Sequence, residues 1–402
     1  MATTIAEAST AATAPQAPAR AGEAAFMLVV GVLLLSSTLI IVGLLWDISW
    51  HLSIGRDTLW SPPHVLEQIG ASLAGLACGL LVLRTTFGGS TAQQSRAVRF
   101  WGFRGPIGGW VAIWGAFAMI FSVPFDNWWH NAYGLDVQIL SPPHVVLLLG
   151  MVAIQLGAML LALSVQNRSS EARAKWLAIA FSFGAGAMIA MVGTTLSEYM
   201  LLPNRWHNSL TFRVAAMAFP LLLLAVARAG RLPYAATAAA GFYMLVYLVP
   251  QWIIVQFGAT PRLTPILNPI THMSAFAFPL VLAAPAFALD LGLRRWDRFG
   301  DWKLAALLGP LFVVVMVAVH WPFGSFLVQS PLAQNDLFLG NHWGYGANIQ
   351  APWRSQFLGE DGTFGSVRFI PFLSGLPAAV VFAIVSARLG LLWGRWLRGV
   401  RR

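Results

Sequence analysis

Long apolar runs separated by short polar segments dominate the hydrophobic pattern of this chain. A membrane-spanning helix needs about 20 mostly apolar residues, and ten runs in this chain come close to that length or exceed it. We therefore predict an all-α fold, a polytopic bundle of about ten transmembrane helices. The predicted spans cover residues 26–46, 64–84, 107–125, 143–165, 175–195, 210–229, 232–256, 271–292, 303–320 and 370–393.

The polar segments between these runs divide the chain into three regions. Residues 1–22 are rich in Ala, Thr and Pro and lack the apolar core of a cleavable signal, so we expect a disordered cytoplasmic tail. Residues 23–166 contain a duplicated helix hairpin. Residues 167–402 contain further transmembrane helices and a long outer loop at 321–369.

Composition supports the assignment to a membrane. The chain has 402 residues, of which 57% are hydrophobic and 10% charged, and its mean hydropathy is +0.68. Soluble domains carry about 25% charged residues, so a soluble globular enzyme, a disordered protein and a coiled coil are excluded. The single cysteine, Cys78, excludes an intramolecular disulfide and a metal cluster built from thiolates.

The basic residues predict the orientation of the spans. With the N-terminus in the cytoplasm, 19 of the 25 Lys and Arg residues fall in inner segments and 6 in outer ones, as the positive-inside rule requires. We therefore expect a multi-pass protein of the inner (plasma) membrane with both termini cytoplasmic. The net charge of +10 is then explained by the basic residues of the inner segments. We therefore expect the lipid bilayer as a partner and no binding of nucleic acid.

All eight histidines fall on the outer, periplasmic side of the predicted topology, where two stretches of sequence repeat each other. WDISWHLSIGRDTLWSPPH ends at His64, and FDNWWHNAYGLDVQILSPPH ends at His144. Each stretch joins the end of one span to the start of the next, so the repeated unit is a helix–loop–helix. The matching residues are Asp47 and Asp126, Trp50 and Trp129, His51 and His130, Gly55 and Gly134, and Asp57 and Asp136.

The spacing of the repeat predicts a metal site. Asp47 and His51 are four residues apart at the end of a span, so they share one helix face. Ser61 followed by two prolines predicts a helix start, which places His64 in the first turn, where the helix dipole disfavours a protonated imidazole. One carboxylate and two imidazoles bind copper, zinc or non-haem iron. The second copy offers the equivalent ligands Asp126, His130 and His144.

A purely structural interpretation competes with the metal site. Histidines at a membrane interface are commonly structural, and the tryptophans of the repeat fit an aromatic belt. Two copies of Asp, His and His with matching spacing favour metal binding, because ionisable residues at membrane depth are costly. Glu67 lies one turn after His64, and we expect its carboxylate to accept the second ring N–H of His64.

The first copy resembles the metal-binding segment of the C subunit of the copper membrane monooxygenases, the particulate methane and ammonia monooxygenases. The resemblance covers residues 47–145 and rests on Asp47, Trp50, His51, Arg56, Asp57, Thr58, Pro62, His64 and Glu67. It implies that Asp47, His51 and His64 bind copper. That family has a second site of one asparagine and two histidines, at the place taken here by Asp126, His130 and His144.

The resemblance implies a copper-binding membrane oxidoreductase subunit that oxidises a small apolar substrate with O₂ and works with other monooxygenase subunits. Four residues are expected to surround the ligands: Arg56, Asp57, Glu67 and Asp136. The second copy departs from the pattern at Leu135, Val137 and Leu147.

Two alternatives stay open at this point. One is a membrane metal transporter, or a metal-handling partner protein, without oxygenase activity. The other is a di-histidine haem bundle, for which His272 and His320 are the candidate ligands.

Overall fold

Eleven α-helices and one short β-hairpin form the described part of the chain in the computed structural model, which covers residues 17–134, 141–168, 171–197, 206–347 and 369–401. Nine of these helices are long and apolar enough to cross a membrane, which confirms the predicted all-α polytopic bundle. The elements are α1 (Ala17–Ser53), α2 (Pro62–Gly88), α3 (Thr91–Arg96), β1 (Val98–Phe100), β2 (Phe103–Gly105), α4 (Ile107–Tyr133), α5 (Pro142–Gln166), α6 (Glu171–Thr195), α7 (Ser209–Ala229), α8 (Ala235–Ile254), α9 (Ala283–Arg295), α10 (Asp301–Gln329) and α11 (Phe369–Arg398).

Two element boundaries differ from the sequence prediction. Helix α1 begins at Ala17, so part of the expected N-terminal tail is helical, and residues 1–16 lie outside the described residues. Helix α10 continues to Gln329 although it contains Pro310 and Pro322, because neighbouring helices in a membrane bundle can compensate for the hydrogen bond that a proline removes. The outer segment therefore begins at residue 330 rather than 321.

The predicted span at 271–292 is not a continuous helix. Residues 273–281 have no helical structure, and α9 covers only 13 residues, which is too short to cross a bilayer alone. Pro279 lies inside the extended segment, and a proline disfavours the helical conformation of the residue before it. The extended segment and α9 together make one broken crossing beside the nine helical ones.

Side chains of neighbouring helices bond to the backbone of this extended segment. The Gln251 amide accepts a hydrogen bond from Phe276 N–H (2.7 Å) and donates one to Ala277 O (3.0 Å). The His320 Nε2 accepts a hydrogen bond from Val281 N–H at 2.9 Å. Non-helical backbone is tolerated at membrane depth only where the protein itself satisfies it, so these two buried polar residues have a structural role.

The outer end of the same segment is bonded to α1. Ser53 Oγ accepts a hydrogen bond from Ser274 N–H at 2.7 Å, and Ser49 Oγ donates one to Ser274 O at 2.5 Å. Both α1 serines are fully buried or nearly so. The broken crossing is thus attached to the last two turns of α1, the part of the helix that carries the first repeat.

Helix packing shows that the duplication extends beyond the loop motifs. A Cβ added to Gly150 of α5 would lie 2.7 Å from the carbonyl oxygen of Gly115 in α4, and one added to Gly70 of α2 would lie 3.0 Å from that of Ser36 in α1. Gly70 matches Gly150 in the repeat, and Ser36 matches Gly115. Small residues let the backbones approach closely, and both hairpins use the same position for this purpose.

Helix α1 begins and α11 ends at the same end of the bundle. The Asn167 side chain, just after α5, donates a hydrogen bond to Val400 O at 2.8 Å. The guanidinium of the neighbouring Arg168 lies 5.8 Å from the ring centre of Phe26 in α1. The two repeated hairpins lie at the opposite end, where α1 ends and α2 begins.

Candidate metal centre

The first hairpin turns tightly between α1 and α2. Gly55 has φ +89°, a left-handed conformation that glycine adopts without a steric penalty. Ser61 occupies the N-cap position of α2 as predicted, but its hydroxyl makes no capping bond to the helix. Pro62 and Pro63 have no N–H to offer, and Ser61 Oγ instead accepts a hydrogen bond from Thr58 N–H at 2.8 Å, which holds the loop.

Four potential metal ligands converge in this hairpin. His64 Nε2 lies 3.1 Å from Asp47 Oδ1 and 3.2 Å from Asp57 Oδ2. His51 Nε2 lies 3.8 Å from the same Asp47 oxygen and 3.5 Å from the same Asp57 oxygen. In a tetrahedral site with bonds of about 2.0–2.1 Å, neighbouring ligand atoms are about 3.3 Å apart. The distances from His64 to the two carboxylates therefore fit one shared ion, and the longer distances from His51 place its ring at the edge of that group.

Asp57 belongs to this group, although sequence reasoning placed it outside the ligands. Among the described residues, Asp47, Asp57 and His64 form the one group of three such side chains whose ligand atoms all lie within 4.8 Å of one another. The hydrogen bond from His51 lowers the pKa of Asp57 below its usual value, so the carboxylate is ionised near neutral pH. The recurrence of an aspartate at the same place in both copies was the sequence signal for this role.

A backbone carbonyl, and not Glu67, holds the second ring nitrogen of His64. His64 Nδ1 lies 2.9 Å from Thr58 O, so Nδ1 carries the proton and Nε2 points at the carboxylates. A hydrogen bond of this kind fixes the tautomer that binds metal. The expected role of Glu67 as the hydrogen-bond acceptor of His64 is therefore wrong: its side chain is buried against α1, where a Cβ added to Gly43 would lie 2.5 Å from Glu67 Cγ.

Arg56 also differs from its expected role around the ligands. Its carbonyl oxygen accepts a hydrogen bond from the Trp50 indole at 3.0 Å, whereas the residue as a whole is exposed. Among the described residues, no carboxylate forms an ion pair with its guanidinium. Arg56 shapes the loop through its backbone.

Two buried oxygens without hydrogen bonds favour a bound cation. Asp47 Oδ1 and Asp126 Oδ1, which are equivalent atoms of the two copies, are shielded from solvent and accept no hydrogen bond of normal geometry, although an imidazole nitrogen lies 3.1 Å from the first and 3.5 Å from the second. Leaving a buried charged oxygen unpaired costs several kcal/mol in general terms. A metal ion bonded to each oxygen would remove that cost, so the donor set fits a bound metal on structural grounds.

The second hairpin reproduces the first more loosely. His130 Nε2 lies 3.3 Å from Asp126 Oδ2, and His144 Nε2 lies 3.5 Å from the other oxygen, Oδ1. The His130 Nδ1 lies 3.2 Å from Gly134 O, and Gly134 has φ +90°, as Gly55 has in the first copy. The predicted neighbour Asp136 lies outside the described residues. In the part of the chain that the structure describes, the Asp126 carboxylate contacts both imidazoles of this hairpin.

The remaining four histidines have local partners instead of metal ligands. His320 is fully buried, and its Nδ1 lies 3.0 Å from Met316 O while its Nε2 accepts from Val281. Both ring nitrogens are thereby used, and His272 is an exposed loop residue bonded to Thr271, so the two do not form a haem site. Burial lowers the pKa of His207 to about 4, and His342 pairs with Asp336 at 2.8 Å.

Two segments from the second half of the chain cover the first hairpin. Arg262 N–H donates to Ile54 O at 2.8 Å, and Tyr345 N–H donates to Leu52 O at 3.0 Å. A Cβ added to Gly55 would collide with the Tyr345 hydroxyl. At the equivalent Gly134, no described atom lies within 4 Å of such a Cβ. The later region, to which the sequence assigned no role, thus packs over the first hairpin, and among the described residues no atom packs against Gly134 in the same way.

Comparisons with known proteins add no relative from which a role could be transferred. The donor atoms, their spacing and the two shielded carboxylate oxygens are therefore the basis for any assignment of this centre. Their arrangement fits a metal ion at one end of a membrane bundle. The sequence matches no family model, no curated protein and no solved structure.

Proposed function

We propose that this protein is a copper-binding membrane oxidoreductase subunit, similar to the C subunit of methane and ammonia monooxygenases, that oxidises a small apolar substrate with O₂. Zinc or iron would fit the same ligand types. Copper is preferred because the spacing of Asp47, His51 and His64 matches the copper-binding segment of that family.

The convergence of Asp47, His51, Asp57 and His64 carries this proposal. Metal binding requires both imidazoles in their neutral form, and the two carboxylates then give the site a charge of −2, which a divalent cation neutralises. His64 is oriented by the Thr58 carbonyl, and Asp57 is oriented by its contact with His51. Copper held there would supply the redox chemistry, and electrons would come from outside this chain.

The two hairpins should bind metal unequally. The first has two carboxylates and is covered by Tyr345, whereas the second has one carboxylate in the described residues and an open turn. Each additional carboxylate strengthens the attraction for a divalent ion. The first site is therefore proposed as the tighter one.

Elemental analysis of purified protein tests the metal proposal. Wild type should bind copper at two sites of different affinity. A variant with Asp47→Ala, His51→Ala and His64→Ala should lose the tighter one, and a variant with Asp126→Ala, His130→Ala and His144→Ala should lose the weaker one. His342→Ala, at a histidine paired only with Asp336, serves as the control. Equal copper content in all four proteins would refute the metal proposal.

The alternative function is a metal transporter or metal-handling partner without oxygenase activity. Vesicles that contain the purified protein distinguish the two. Oxygen consumption with a reductant and a small alkane, lost in the Asp47, His51 and His64 triple variant, supports the oxygenase. Copper uptake into the vesicles without oxygen consumption supports the alternative.

A further inference from the structure

A cluster of arginines surrounds one aspartate at the end of the bundle where α11 ends. Arg228 Nη1 lies 2.7 Å from Asp301 Oδ1, and Arg395 Nη2 lies 2.6 Å from Asp301 Oδ2. Arg388 Nη1 lies 3.8 Å from the same Oδ2. The Asp301 side chain is only 9% exposed, so both of its oxygens are already occupied by two guanidiniums.

Close helix packing brings these charges together from three helices. A Cβ added to Gly390 of α11 would lie 2.5 Å from Leu221 O of α7, and one added to Gly394 would lie 2.8 Å from Ala225 O. Two glycines four residues apart allow this backbone contact, and it places Arg228 beside the last turns of α11. Asp301 is the first residue of α10. The cluster is thus a fixed feature of the α7–α10–α11 contact.

The charges in this cluster do not balance. Three guanidiniums around one carboxylate leave a net charge of +2 in a membrane protein, where uncompensated charge is costly. Arg388 is the least satisfied member. Its Nε is buried without a hydrogen-bond partner, and among the described residues its guanidinium makes no hydrogen bond. A second anion beside Arg388 would complete the cluster.

The surroundings of Arg388 indicate where that anion comes from. Its guanidinium lies 5.1 Å from the ring centre of Trp302, whose side chain is 68% exposed. Exposed tryptophans beside arginines are typical of the membrane interface, the depth of lipid phosphates. Guanidinium groups bind phosphate oxygens through short, charge-assisted hydrogen bonds. The Arg388 side chain is 24% exposed, so a ligand can reach it from the side.

We propose that Arg388, Arg395 and Trp302 form a binding site for the phosphodiester headgroup of an anionic phospholipid. The phosphate oxygens accept the hydrogen bonds from Arg388 that Asp301 does not accept, and the negative charge of the phosphate reduces the excess of +2. The lipid glycerol and acyl chains then lie against the outward faces of α10 and α11. This site is independent of the metal centre at the opposite end of the bundle.

Native mass spectrometry of the delipidated full-length protein in detergent tests this site. Phosphatidylglycerol should bind more tightly than phosphatidylcholine, and Arg388→Gln should weaken phosphatidylglycerol binding about fivefold, since one arginine near the membrane surface contributes about 1 kcal/mol. Arg99→Gln removes an exposed charge from β1 and should leave binding unchanged. Inorganic phosphate at millimolar concentration should not displace the lipid. Displacement by phosphate would assign the cluster to a soluble anion and overturn the proposal.

A second variant changes lipid binding in the opposite direction. Asp301→Asn removes the carboxylate that competes for the arginines, so phosphatidylglycerol should bind more tightly than to wild type. A merely structural cluster would lose stability without gaining lipid affinity. Equal phosphatidylglycerol affinity in wild type, Arg388→Gln and Asp301→Asn, each shown to be folded by its helical circular dichroism, would overturn the proposal.

Discussion

At the scale of single residues, the orientation of the His64 ring and the two carboxylates of Asp47 and Asp57 decide what the first hairpin can bind. His64 is held by the Thr58 carbonyl through Nδ1, so Nε2 is the ring nitrogen that faces Asp47 and Asp57 and would bind a metal once it is deprotonated. In the second copy the histidine held by a loop carbonyl is His130, the counterpart of His51, whose Nδ1 lies 3.2 Å from Gly134 O. Each copy thus presents a histidine whose metal-binding tautomer is set by its own loop.

Asp57→Asn should weaken metal binding at the first site at least tenfold. The Asp57 carboxylate lies 3.2 Å from His64 Nε2. The asparagine amide has the same size but no negative charge. Loss of a hydrogen bond to a metal ligand already lowers metal affinity about tenfold or more, and loss of a charged ligand should lower it further. Competitive copper titration measures the affinity, with Asp336→Asn in an outer loop as the control. An Asp57→Asn affinity equal to that of wild type would place Asp57 outside the ligands.

Glu67→Gln should change copper affinity by less than about threefold, or about 0.7 kcal/mol. The His64 ring N–H already bonds to a backbone carbonyl, so no hydrogen bond to the metal ligand is lost. The same titration applied to Glu67→Gln and His64→Ala provides the comparison. A tenfold or larger loss in Glu67→Gln would restore this residue to the hydrogen-bond network of His64.

At the scale of elements, the two hairpins are duplicated as packed units. Gly70 and Gly150 occupy the same contact in the two copies, and Gly55 and Gly134 make the same left-handed turn. The ligands at the hairpin ends therefore depend on how closely the helices beneath them pack.

Gly150→Ala should destabilise the protein by about 1–3 kcal/mol, because the new methyl group meets the α4 backbone and overpacks the interface. Gly79→Ala, in α2, is the matched control, since a Cβ at that position has no neighbour within 4 Å. That change should be neutral or stabilise the helix by about 0.5–1 kcal/mol. Thermal unfolding in detergent measures both. An equal melting temperature for the two variants would contradict the close packing of α4 and α5.

The broken crossing leads to a prediction for His320. His320→Leu leaves the Val281 N–H buried without an acceptor, which costs about 1–3 kcal/mol, while the metal content stays that of wild type. His272→Leu, at an exposed loop position, should be close to neutral. Thermal unfolding and copper analysis of the two variants check this. Loss of copper in His320→Leu would show that this histidine has a role beyond holding the extended segment.

At the scale of the whole molecule, nine long helices and one broken crossing place the start of α1 and the end of α11 at one end of the bundle, the end that the distribution of basic residues assigns to the cytoplasm. Reporter fusions after Arg99 and Arg298 should therefore report the cytoplasm, and fusions after Thr58 and Gly346 the outer side. The fusion after Arg298 is the decisive one, because it follows the broken crossing. An outer signal there would mean that the extended segment and α9 do not cross, and it would reverse the side assigned to α10 and α11.

The sequence by itself determined the class of fold, most of the spans and the repeated aspartates and histidines. Long apolar runs leave few folds other than a membrane bundle, and the duplicated Asp-x-x-x-His and Ser-Pro-Pro-His motifs lie within single hairpins, where contacts are local. For the same reason the spacing along the chain brought Asp47 and His64 together, whereas the structure adds Asp57 to them and leaves His51 farther away.

Only the tertiary structure decided the features that depend on distant parts of the chain. The apolar run at 271–292 resembles a helical span, but Gln251 and His320 from other helices bond to its extended backbone. The path of the loop decides that the Thr58 carbonyl, and not the Glu67 carboxylate, accepts the hydrogen bond from the His64 ring. The arginines around Asp301 come from α7 and α11, more than 150 residues apart. Hydropathy and spacing describe one segment at a time, whereas these bonds form between segments that meet only on folding.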